Sequence, residues 1–174
     1  MKAIILSPGA SLAHYTPQPA DLVLGVNRAA VGFPCDVWVA GDLPLIHRIY
    51  EQVIGSPLLV SYSVSLDNLR DRNWVWRGET FAWTRLADAY LHPSIVNWPW
   101  CSFTAAIVYA AWRGAATIDV YGADWKGTAD FDGVEAGKNR TDARWKEEQS
   151  IFAALQKVLG DKGIRLERRM LASA

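Results

Sequence analysis

The chain has 174 residues, 51% of them hydrophobic, with 18 Lys plus Arg against 18 Asp plus Glu and a formal net charge of zero. This is the composition of one globular domain with a sizeable core, not of a disordered segment, and its neutrality gives no electrostatic reason to expect nucleic acid or an anionic membrane as a partner. No apolar run reaches the ~18 residues of a membrane span, and "MKAIILSPG" is too short to be a signal-peptide core. A cytoplasmic, non-membrane protein is expected. Cys35 and Cys101 show neither zinc nor disulfide spacing.

In chain order, short Val-, Ile- and Leu-rich runs read as strands: "KAIIL" (2–6), "LVLGV" (22–26), "DVWVA" (36–40), "LLVSY" (58–62), "TIDVY" (117–121) and "IRLER" (164–168), with a weaker "NWVW" near residue 75. Their near-continuous hydrophobicity suits strands buried on both faces of a parallel sheet. Helices are expected from a short one near Ser11, then over 43–55 with Pro44 in the first turn, over 102–114 capped by Ser102 and stopped by Gly114, and over 141–160. In the last, Thr141 or Asp142 is the cap, and Trp145, Phe152, Leu155 and Leu159 share one face. The alternation predicts an α/β, Rossmann-like, doubly wound, mostly parallel sheet in a single domain over 1–174. Residues 63–100, dense in Trp and without a clean period, read as an irregular lid or insertion.

Ligands of open parallel sheets bind at the carboxyl ends of the strands, and polar or small residues follow four of these strands. They are Ser7, Pro8, Gly9, Ala10 and Ser11; Asn27 and Arg28; Gly41 and Asp42; and Gly122, Asp124, Trp125 and Lys126. Gly9 permits close backbone approach, and free amides at the helix start near Ser11 suit an anion. The same Pro-Gly-Ala-Ser also suits an ordinary turn with a Ser cap. Asp42 stands where it would cap the helix at Leu43, whereas Asp124 caps nothing near it in sequence. No G-x-G-x-x-G or P-loop pattern is present. The loop over 122–145 is long enough to suggest function. Its Asp130, Asp132 and Glu135 resemble part of a calcium loop, and Lys138, Arg140 and Arg144 suit phosphates or an acidic acceptor. His14, His47 and His92 are isolated, and Trp98 and Trp100 suit packing or a sugar or base wall.

"IILSPGASL" resembles the small-residue loop that opens the small bacterial sialyltransferases, and a related loop opens a family allied to the archaeal 6-hydroxymethylpterin diphosphokinase. "LVLGVNRA" with "DVWVAGD" is similar to strands two and three of both groups, and "SFTAAIVYAAWRGAATIDVYGADWKG" to their Ala-rich helix, strand and Gly-x-Asp turn. "NRTDARWKEEQSIFAAL" resembles the final helix of phage and bacterial members of the second group. The resemblance implies a Rossmann-like fold that binds a nucleotide diphosphate or a nucleotide-activated sugar. It implies that Gly9, Ala10 and Ser11 meet the phosphates, that Asn27 touches the nucleotide or the transferred group beside Asp42, that Ser102 and Thr104 line the site, and that Gly122 and Asp124 close it. The sialyltransferases' catalytic His is missing, since no His follows His92.

The expectation is therefore a transferase, with Ser7, Pro8, Gly9, Ala10, Ser11, Asn27, Arg28, Ser102, Thr104, Gly122 and Trp125 around a nucleotide sugar, and Asp124 or Asp42 taking the acceptor's proton. Lys126, Lys138, Arg140 and Arg144 are expected at phosphates or acceptor. The acceptor is a hydroxyl, and modified phage DNA is a conceivable one. Two alternatives stand beside glycosyl transfer: a Mg-dependent diphosphokinase acting on a pterin-like alcohol, and a non-catalytic nucleotide-binding module.

Overall fold

The computed structural model describes residues 1–71, 76–83, 101–135 and 140–171. Seven strands form one all-parallel sheet: β1 (Lys2–Leu6), β2 (Leu22–Val26), β3 (Val37–Val39), β4 (Leu58–Ser61), β5 (Thr80–Ala82), β6 (Thr117–Tyr121) and β7 (Arg165–Arg168). Their order is β5-β4-β3-β2-β1-β6-β7. The chain therefore winds outward from β1 in one direction and then in the other, and the order reverses between β1 and β6. The α/β, Rossmann-like reading holds, and the sheet is entirely parallel.

Alternation along each strand sorts the core into two faces. Ala3 and Ile5 of β1, Val37 and Val39 of β3, and Ile118 and Val120 of β6 join one apolar cluster. Two helices supply its other half: α4 (Ser102–Trp112), buried from Phe103 to Ala111, and α5 (Asp142–Gly160), through Phe152, Leu155 and Leu159. Thr141 caps α5, accepting from the Arg144 amide at 3.3 Å. On the opposite face, Trp38 and Leu59 meet α2 (Leu43–Ile49) and α3 (Ser63–Asp71). There Ile4 and Leu6 meet Leu12 of a 3-10 helix (Ala10–His14) and Ala29 of the one-turn α1 (Ala29–Gly32).

Three expectations are corrected. The helix over 43–55 ends at Ile49, and Glu51 to Gly55 turn the chain back toward β4. The Trp-rich middle is not irregular where it is described: α3 buries Leu66 and Leu69 three residues apart, and β5 extends the sheet. Trp76, expected in a strand, instead packs on Trp38 at 5.0 Å and donates to the Pro57 carbonyl at 2.9 Å. The rest of "NWVW", His92, Trp98 and Trp100 lie outside the described residues. Among the described residues no helix is long and apolar enough to cross a membrane.

Candidate functional site

The carboxyl ends of β1, β2, β3 and β6 open into one cleft of about 610 Å³ beside the reversal of strand order. It brings together Ser7, Pro8, Gly9, Asn27, Arg28, Asp42, Ser102, Gly122, Asp124, Trp125, Lys126, Arg140 and Arg144. Four expected residues are not among those lining it. Ala10 is exposed and Ser11 is half-buried beside the cleft. Thr104 is fully buried and turns its hydroxyl back to the Cys101 carbonyl at 2.9 Å, because it sits one helical turn inside α4. Lys138 lies outside the described residues.

The turn after β1 is held by the chain itself. The Gly9 amide donates to the Gly122 carbonyl at 2.9 Å, and the Ser11 amide donates to Asp124 Oδ2 at 2.7 Å. The Ser11 hydroxyl donates to the other Asp124 oxygen. A carboxylate of the same chain thus takes the helix-start position expected for a ligand phosphate. Asp124 does cap a helix after all, one 113 residues away in sequence. Gly9 is required for the same reason: a Cβ there would lie 2.3 Å from the Gly122 carbonyl oxygen and 2.8 Å from Asp124 Oδ2.

Asp42 shows the reverse. It occupies the cap position of α2, yet its side chain makes no capping hydrogen bond and is exposed at the cleft. It is an open carboxylate at the end of β3. Nearby, the Gly41 amide donates to Ser102 Oγ at 3.2 Å, which ties the start of α4 to β3.

Two lining residues adopt left-handed backbone without being glycine: Asn27 and Trp125, each at φ 51°. Such backbone is uncommon outside glycine and gathers at functional sites. The Asn27 backbone is held in place, its amide donating to the Val39 carbonyl at 2.9 Å and its own carbonyl accepting from Trp38 Nε1 at 3.0 Å. The side-chain Oδ1 of Asn27 and the indole Nε1 of Trp125 are buried without a hydrogen-bond partner among the described residues. Buried polar atoms are normally satisfied. The Trp125 ring is fixed by Phe152 at 5.4 Å and by the Arg168 guanidinium 4.4 Å above it.

Three arginines of the cleft are paired. Arg28 binds Asp132 and lies 3.6 Å from Asp130, and Arg140 binds Asp130 and donates to the Ala129 carbonyl at 3.3 Å. Arg144 binds Glu148 at 2.9 Å. Burial pushes the Asp130 carboxyl up, against the opposing pull of Arg140 and Arg28. Burial works on Asp132 too, but there the Arg28 hydrogen bond, the Val134 amide and the Arg28 charge outweigh it and hold the carboxyl below its ordinary value. Asp130 and Asp132 are committed to arginines and Asp124 to Ser11, which leaves Asp42 and Glu135 as exposed carboxylates of the cleft. Among the described residues, no group of three His, Cys, Asp or Glu side chains gathers as a metal site.

No family model and no solved structure matches the chain. It is similar to an isoleucine–tRNA ligase of Saccharophagus degradans, 28% identical over 127 residues. The match covers 66% of this chain and 14% of the ligase.

Sequence reasoning missed Arg48, Tyr62, Cys101, Phe103 and Glu148, all of which line the cleft. Two had a signal. Arg48 lies on the helix that Asp42 begins, and Glu148 stands four residues after Arg144, at ion-pair spacing on a helix. Cys101 is buried at the cleft wall, 7% exposed. Burial, with Glu148 beside it, pushes its pKa up to about 11, and burial pushes Cys35 up to about 12. Alkylation by iodoacetamide at pH 8 is expected to be at least about tenfold slower in the native protein than in urea. Equal rates would contradict the raised pKa of both thiols.

Proposed function

We propose that this chain is a small transferase that takes a nucleotide-activated donor, a nucleotide sugar, into the cleft and passes the activated group to an acceptor hydroxyl. The observation that carries this reading is Asn27. A non-glycine residue is held in left-handed backbone at the end of β2, with a buried side-chain acceptor that has no partner among the described residues, beside the reversal of strand order. A donor hydroxyl or amine would supply the missing hydrogen bond. Asp42, exposed and without a cap bond, would take the acceptor's proton. Asp124 would act as a positioning residue, holding the turn after β1 through Ser11.

A thermal-shift panel of CMP-, UDP- and GDP-sugars, with ATP in the presence and absence of Mg, tests the reading. A ligand that binds only the folded state raises the Tm. One nucleotide sugar is expected to do so, and Asn27→Ala is expected to abolish the shift. A shift with ATP and Mg alone would favour diphosphoryl transfer instead. Binding of a nucleotide sugar without turnover in the presence of acceptors would favour a non-catalytic module, a reading supported by the engagement of Asp124 with Ser11.

A further inference from the structure

Arg28 and Arg140 are the most enclosed of the paired cleft cations, their side chains 12% and 16% exposed against 34% for Arg144. One carboxylate stands between them. Asp130, whose side chain is 3% exposed, binds Arg140 and lies 3.6 Å from Arg28 Nε. Its backbone is pinned from two sides. The Asp130 amide donates to the Val134 carbonyl at 2.8 Å, the next amide, of Phe131, donates to the Pro8 carbonyl at 3.0 Å, and Asp130 bridges to Gly9. Asp130 therefore holds its place by the backbone of the β1 turn and not by its ion pairs alone.

The pairing is incomplete. Arg28 Nε is buried and lacks a hydrogen-bond partner, since Asp130 stands too far from it. Two guanidinium forks carry ten N–H donors between them, and the two carboxylates that face them, Asp130 on Arg140 and Asp132 on Arg28, leave Arg28 Nε unserved. A phosphate or diphosphate brings more charge and more acceptor oxygens, and its geometry matches both forks. A monocarboxylate would only reproduce the charge of Asp130 and would still bear the cost of association.

We propose that Asp130 is a specificity-determining residue of this cleft, occupying the anion position between Arg28 and Arg140 so that only a ligand group with two or more negative charges displaces it. The proposal rests on the donor reading above, and it names the phosphates of that donor as the group that meets Arg28 and Arg140.

Calorimetric titration of inorganic pyrophosphate into the full chain tests it, comparing the unaltered protein with Asp130→Asn and Glu135→Gln. Glu135 is exposed on the same cleft, so its neutralisation makes the same charge change without touching either arginine. Asp130→Asn is expected to bind pyrophosphate about tenfold more tightly, the equivalent of one charge-assisted hydrogen bond, whereas Glu135→Gln stays within about twofold. Equal or weaker binding by folded Asp130→Asn overturns the proposal, and so does equal tightening by Glu135→Gln. If Asp130→Asn does not fold, the unaltered protein still decides. Pyrophosphate must bind at least about tenfold more tightly than acetate, and equal affinities overturn the proposal. A nucleotide-sugar shift together with unchanged pyrophosphate affinities would overturn Asp130's role and leave the donor reading standing. Tightened pyrophosphate binding with no nucleotide bound would support Asp130's role and sink the donor reading.

Discussion

Gly122→Ala is expected to lower the free energy of unfolding by about 4 kcal/mol, among the largest effects of any single methyl addition in this chain. Gly122 has φ +70°, and a Cβ there would lie 2.1 Å from the Ser7 carbonyl oxygen and 2.9 Å from Leu12 Cβ. The methyl group would force the ends of β1 and β6 apart. That would strain the Gly9 to Gly122 hydrogen bond of 2.9 Å and the Asp124 grip on Ser11 together. Gly127→Ala is the matched comparison: its φ is +74°, with nothing within 4 Å of an added Cβ. It should lose only the backbone component, about 1 kcal/mol. Urea unfolding of both variants measures the difference. Equal losses would mean that the two strand ends are not clasped as described.

On the proposed reading, Asp42 is the base and Asp124 the positioning residue, roles that the sequence offered to either. Asp42→Asn is expected to lower kcat by about 10²- to 10⁴-fold, the usual contribution of a general base. Its stability should change by less than about 0.5 kcal/mol, because the side chain is exposed and makes no cap bond. Asp124→Asn should do the opposite. An amide oxygen can still accept from the Ser11 amide and its NH2 can donate to the Ser11 hydroxyl, but both bonds lose their charge assistance, at about 1–2 kcal/mol. Turnover with the donor, once it is identified, and urea midpoints separate the two effects. A large kcat loss in Asp124→Asn without loss of stability would move the base to Asp124.

Five strands were legible because they are apolar runs whose alternate residues are buried on opposite faces, whereas β7 buries only Leu166. Ile4 and Leu6 face one helix layer and Ala3 and Ile5 the other. β5 was not, since an edge strand of Thr80, Phe81 and Ala82 is only partly buried and has no period to display. α3 was hidden among Ser and Asp, with only Leu66 and Leu69 marking its buried face. The convergence of the strand ends was legible, since parallel strands deliver the residues after them to one edge of the sheet. The partners of those residues were not. Ser11 meets Asp124 across 113 residues and Arg28 meets Asp132 across 104, distances at which sequence spacing carries no geometry. The absence of a cap bond at Asp42 and the unpartnered Oδ1 of Asn27 belong to the same class. Each depends on where one side-chain atom comes to rest.

On the proposed reading, the cleft at the ends of β1, β2, β3 and β6 holds the nucleotide donor. Trp125 reports on it directly, because its indole N–H lacks a partner among the described residues and its ring lines the cleft. Trp112, at the end of α4 and 43% exposed, does not line that cleft. The nine indole N–H resonances are to be followed by NMR during titration with the nucleotide sugar that raises the Tm, with Trp125 assigned through Trp125→Phe and Trp112 through Trp112→Phe. The Trp125 resonance is expected to shift in a saturable way while that of Trp112 stays in place. A saturable shift elsewhere that leaves Trp125 unmoved would contradict that reading.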